Sequence, residues 1–178
     1  MIQLCAFQGK SLISRLIRFQ TRSVYSHIAI RFTDSMLVKT PLQYGRTLAV
    51  EIEAGNVIEA WNGGVRKADS ISASHTPHTK VDLFELKSPL SSGSTKIFSQ
   101  FLCAQLGKPY DYMAIIRFLT REPENRWRKD KWFCSELAFE ACLVAGRELL
   151  ANCPAWKVPP AWIPMSPLLK HVGSEWTT

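Results

Sequence analysis

No apolar run in this 178-residue chain approaches the roughly 18–20 residues of a membrane-spanning helix. Paired cysteines are lacking too. Cys5, Cys103, Cys134, Cys142 and Cys153 are scattered, odd in number, and form no Cys-x-x-Cys pair. A disulfide framework and a structural zinc site are therefore not expected, and reduced thiols point to the cytosol. The first residues show no charged segment leading a long apolar one, so no secretory signal is read and cytoplasmic synthesis is expected. Acid is missing from residues 1–33, which hold Lys10, Arg15, Arg18, Arg22 and Arg31; the first acid is Asp34. That bias suits an anionic cell-wall polymer or membrane surface, or a solvated helix face. No internal repeat or low-complexity tract is present.

What remains is ordinary for a globular protein. Apolar residues make up 46%, charged residues 21%, and the net charge is +7. The length suits one domain over residues 1–178, which at this size buries roughly 70% of its unfolded surface.

Residues 2–7 read as a strand. Residues 11–19 read as a helix, with Leu12, Ile13, Leu16 and Ile17 packing inward and Arg15 and Arg18 left wet. Residues 23–32 read as a strand, with Tyr25, His27, Ala29 and Arg31 on one face and Ser26, Ile28, Ile30 and Phe32 on the other. Residues 33–47 look irregular. Residues 48–52 and 57–60 flank Ala54-Gly55-Asn56, a hairpin signal. Residues 71–80 read as a polar loop and 80–86 as another strand. Helical spacing then runs through 95–106, 112–119 and 133–145, and residues 120–131 form a charged loop. Ser166-Pro167 resembles a helix cap with proline at the first helical position. Strands followed by helices imply an α+β fold, an antiparallel sheet packed against helices.

Cys134 begins a helix, where free N–H groups and the helix dipole favour a thiolate. His27 can take a thiol proton and return it to a leaving group. Glu59 lies in the apolar strand Val57-Ile58-Glu59-Ala60, where a carboxylate is out of place unless paired. Glu51 and Glu53 compete with it on the preceding strand. His75-Thr76-Pro77-His78 has a ligand-like spacing, yet no cysteine pair or acid cluster accompanies it. It reads as a loop, and no metal or cofactor is expected. Arg126-Trp127-Arg128-Lys129 mixes bases with an aromatic, but no nucleic-acid motif appears and no nucleic-acid partner is expected.

Tyr25-Ser26-His27-Ile28-Ala29-Ile30, Val57-Ile58-Glu59-Ala60, Gly107-Lys108-Pro109-Tyr110-Asp111-Tyr112 and Phe133-Cys134-Ser135-Glu136-Leu137 occur in this order. Together they resemble the circularly permuted branch of the NlpC-like papain-fold cysteine hydrolases, the YiiX/YaeF type. The lecithin–retinol acyltransferase-like proteins are a related permuted group. The resemblance spans roughly residues 23–166 and implies a permuted papain-like fold. It implies Cys134 as nucleophile, His27 as general base and Glu59 as third polar residue. Tyr25, Tyr110 and Ser135 are then substrate contacts. The stretch 33–54 is longer than this pattern expects and is read as an insertion.

The function so implied is an amidase or peptidase acting through an acyl-enzyme on peptidoglycan-type peptides. Without an export signal, a phage, a secretion system or lysis would have to deliver it. An alternative keeps the thiol and makes the substrate a lipid acyl group, hydrolysed or transferred, with the basic N-terminal helix on a membrane. A second alternative is a non-catalytic binding module of a phage or secretion machine.

Overall fold

The computed structural model describes residues 1–41, 46–73, 75–113 and 130–178. Its centre is a six-stranded sheet in the order β6-β5-β2-β1-β7-β8. The strands are β1 (Ile2–Phe7), β2 (His27–Phe32), β5 (Val57–Trp61), β6 (Gly64–Ala68), β7 (Lys80–Leu86) and β8 (Leu169–Trp176), and every neighbouring pair is antiparallel. Strands β3 (Met36–Pro41) and β4 (Thr47–Ile52) pair separately as a two-stranded sheet. Helices α1 (Leu12–Thr21), α2 (Ser92–Gln105) and α3 (Cys134–Val144) complete the regular structure, with short 3₁₀ turns at Ala155–Lys157 and Pro160–Met165. Among the described residues no helix is long and apolar enough to cross a membrane.

Both faces of the sheet are covered. Alternation sends Leu4, Ala6, Ile28, Ile30, Ile58 and Ala60 to one face, where they cluster with Leu137, Ala138, Phe139 and Ala141 of α3. Cys5, Phe7, Ala29, Val57, Val81 and Leu83 line the other face, beneath Ile71 of the loop that follows β6. Strands buried on both sides carry near-continuous apolar runs, as β1 and β2 do.

The structure departs from the sequence reading in four places. Residues 36–41 form β3 and pair with β4, so the stretch 33–47 is not wholly irregular. Its sheet docks on α2, where the Gln100 side-chain amide donates to the Lys39 carbonyl at 2.6 Å. Residues 48–52 and 57–60 do not pair with each other. The Gly55 turn is real, with φ +94° and Asn56 Oδ1 accepting the Glu53 N–H at 3.0 Å. It hands the chain from one sheet to the other, because β5 finds its partners in β2 and β6. Ser166-Pro167 caps no helix: the Ser166 hydroxyl donates to the Leu149 carbonyl and accepts the Leu168 N–H, and β8 follows. Helix α1 also turns the opposite way from expectation. Ser14 and Ile17 are buried, whereas Leu12, Ile13 and Leu16 are exposed. The helix expected over 112–119 lies, beyond its first two residues, outside the described residues, as does nearly all of the loop 120–131.

Gly64 opens β6 at φ +133°, and a Cβ there would run into the Lys108 carbonyl oxygen, which accepts the Val65 N–H at 2.8 Å. Gly55 also has a positive φ, +94°, but open space around it. Gly64→Ala is expected to cost about 2–4 kcal/mol and Gly55→Ala about 1 kcal/mol. Urea denaturation of both variants measures the difference, which isolates the close approach from the backbone strain.

Candidate functional site

Glu59 is the only carboxylate of β5 and is 1% exposed. It faces Arg66 directly across the β5–β6 hairpin. The Arg66 Nε and Nη2 donate to Glu59 Oε1 at 3.0 and 2.6 Å, and Nη2 also donates to the Ala73 carbonyl. The other oxygen, Oε2, lies 2.7 Å from His27 Nε2 and 3.0 Å from His75 Nε2. An ionised carboxylate only accepts, so both imidazoles carry their proton on Nε2 towards it. That leaves Nδ1 of neutral His27 unprotonated.

Aromatic walls hold this arrangement. His75 stacks on Phe7 with centroids 4.3 Å apart and leans on Trp61 at 4.4 Å. His27 meets the same two rings edge-on, at 5.2 and 4.8 Å. The Arg66 guanidinium lies 5.9 Å over Trp61. The carboxylate therefore sits in a dry box with its charge balanced by Arg66.

Burial works against both ionised forms. It would raise the Glu59 carboxyl, but the hydrogen bonds from His27 and His75 reverse this and hold it well below the usual carboxylate range. Burial also pushes the His27 imidazole below its ordinary value, and this outweighs the pull of Glu59. His27 is thus a neutral base at neutral pH.

Cys134 opens α3 and is 1% exposed. It meets β2 where the ladder to β5 has ended, since those strands pair only at Ile30–Ile58 and Arg31–Val57. The main chain of Ile28, one residue from His27, lies beside the thiol, and Tyr110 packs against it. Ile17 and Phe133 pack around it. The thiol thus approaches this stretch of β2 from the helix side, and the imidazole stands on the face beneath the loop. Among the described residues no hydrogen bond joins the two. Burial pushes the Cys134 thiol up to about 12, against the lowering by main-chain hydrogen bonds, and the nearby Glu59 charge adds to the rise. In this closed arrangement Cys134 is a thiol, not a thiolate.

The other candidates separate. Tyr110 closes over the thiol. Ser135 is buried and donates to the Val158 carbonyl at 2.5 Å. The Tyr25 hydroxyl donates to Asp82 Oδ2 at 2.9 Å and lines a groove with Trp162 and Met165. Glu51 and Glu53 are exposed, at and just beyond the end of the separate sheet. Sequence reasoning missed Arg66 and His75. Arg66 was available from hairpin symmetry, because Glu59 and Arg66 flank the Asn62-Gly63 turn equally. His75 gave only its spacing to His78, and that pairing does not occur; the His78 N–H donates to the Thr177 carbonyl. Instead, ligand atoms of His27, Glu59 and His75 lie within 4.8 Å of one another.

No protein-family model matches the chain, and no curated protein matches it. Among solved structures it resembles the crystal structure of metalloprotein YiiX from Escherichia coli O157:H7. Identity is 20% and the TM-score 0.61, over 98% of this chain and 96% of that one. The likeness establishes a YiiX-like α+β fold.

These shifts set a sign for stability against pH. The unfolded chain binds a proton on His27 near its ordinary 6.5 and on Glu59 near 4.5, while the folded chain resists both. Stability is therefore full above about pH 7, falls as pH drops through 6.5, and falls faster below 4.5. Glu59→Gln should lower stability at pH 7 by about 2–4 kcal/mol and flatten the lower limb. Urea titrations from pH 4 to 8 check this; stability rising on acidification from pH 7 would contradict it.

Proposed function

We propose that this chain is a cysteine hydrolase in which Cys134 attacks the carbonyl of a peptide amide. The observation that carries the reading is the seat of Cys134. It lies at the first residue of α3, beside the Ile28 main chain, the neighbour of a His27 whose Nε2–H is fixed on buried Glu59. Fixing Nε2 leaves Nδ1 as the proton acceptor, and low basicity keeps it free at neutral pH. Substrate entry displaces Tyr110 from the thiol. That opening must also bring the thiol to the His27 ring, from which β2 separates it in the closed site. The thiol proton then passes to His27 Nδ1 as the S–C bond forms, and on to the leaving amine as the C–N bond breaks. Water, deprotonated by the same nitrogen, hydrolyses the thioester. The N–H of Cys134, with no side-chain cap from Phe133, faces the developing oxyanion. The resemblance to the NlpC-like hydrolases favours peptidoglycan-type stem peptides as substrate.

A second reading rests on His75. Nε2 of His27, Nε2 of His75 and Oε2 of Glu59 fit the donor set of a zinc-like ion, with Arg66 orienting the carboxylate from behind. The structural neighbour is named a metalloprotein. Such an ion would polarise a bound water or carbonyl. The two readings exclude each other at one atom, because a metal-bound His27 cannot keep its Nε2 proton.

Cys134→Ala should lower kcat/KM on stem peptides by about 10⁴-fold or more, and His27→Ala by about 10²–10⁴-fold, with the fold intact by circular dichroism. Unchanged turnover in Cys134→Ala would overturn the thiol reading. Calorimetric titration with Zn²⁺ separates the second reading. Binding that is lost in His75→Ala supports it, and no binding to the wild-type chain removes it.

A further inference from the structure

We infer that α1 docks this protein on an anionic lipid bilayer. A surface helix normally buries its apolar stripe and wets its polar one. Helix α1 does the reverse. Small polar Ser14 and half-buried Thr21 face inward with Ile17. Leu12, Leu16 and Phe19, at i, i+4 and i+7, form one outward stripe flanked by Ile13. Leu12 is 83% exposed and Phe19 81%. The helix is well fixed in this orientation: the Ser11 hydroxyl caps the Ser14 N–H, and the Arg18 guanidinium donates to the Gly9 carbonyl. The outward stripe is thus a feature of the folded chain.

The charge around the stripe selects its occupant. Exposed Lys10, Arg15 and Arg22 lie along and at the ends of the stripe, and residues 1–33 hold no acid. Apolar side chains among bases match acyl chains beneath anionic headgroups. At the C-terminal end of α1, a groove of about 790 Å³ sets exposed Trp162 and Met165 beside Arg22, while its other base, Lys80, is paired with Asp82 at 3.1 Å. A second copy of the chain fits poorly, because a two-fold contact would bring the same bases together. The inner side of α1 covers Cys134 through Ile17, so the bilayer would lie on the roof of the proposed site.

The test uses the 178-residue chain carrying Cys134→Ala, so that binding is read without turnover and stands apart from the hydrolase reading. The protein is sedimented with vesicles of phosphatidylcholine alone or with a quarter phosphatidylglycerol. We expect partition onto the anionic vesicles at least about tenfold above the neutral ones, weakened by salt. Adding Leu12→Ser and Phe19→Ser, both at exposed positions, should reduce it about tenfold or more, with near-ultraviolet circular dichroism unchanged. No partition onto anionic vesicles would overturn the inference, as would equal partition by the Leu12→Ser/Phe19→Ser chain. Dimerisation that those substitutions abolish, without vesicle binding, would assign the face to a second copy. Binding to soluble polyglutamate but not to vesicles would reduce the face to its charge, and also overturns the inference.

Discussion

A single buried carboxylate organises this molecule. Glu59 could not stay ionised at 1% exposure without compensation. It receives that from Arg66 on one oxygen and from His27 and His75 on the other. Four strands or loops are thereby tied at one point: β2, β5, β6 and the loop that follows β6. Removing any donor leaves a charge without its partner in a dry site, which costs more than the lost hydrogen bond itself.

The constraint reaches the chemistry through proton placement. Arg66 balances the charge, so the imidazoles need not be cationic. Burial then keeps His27 neutral, with its proton committed to Glu59 and its Nδ1 free. Cys134 is held in a complementary state, protonated and closed over by Tyr110 and Ile17. On the proposed hydrolase reading the resting site is shut, and reactivity would depend on opening the helix side. Helix α1 is part of that closure, and its outer face is apolar and basic. The proposed opening and the proposed docking would thus involve the same element.

Much of this was legible in the sequence where local physics decides. The alternation of β2 and the misfit of a carboxylate in Val57-Ile58-Glu59-Ala60 pointed to the His27–Glu59 pair. The α+β order and the helix starting at Cys134 followed from periodicity and breakers. Long-range choices were not legible. His75 sits in a polar loop, and packing of its ring against Phe7 and Trp61, both distant in sequence, places it at Glu59. β8 is an edge strand with a mostly exposed pattern, and a Ser-Pro pair ahead of it mimics a helix cap. The orientation of α1 defeats periodicity, which finds an apolar stripe but not which way it faces.

The proton on His27 tests the central claim most directly. Nitrogen-15 NMR of the imidazoles at pH 7 distinguishes the tautomers and the charged form. A neutral His27 carrying its proton on Nε2, and losing that preference in Glu59→Gln, is the expected result. An imidazolium at pH 7, or a neutral ring with its proton on Nδ1, would contradict it and remove His27 as the base for Cys134.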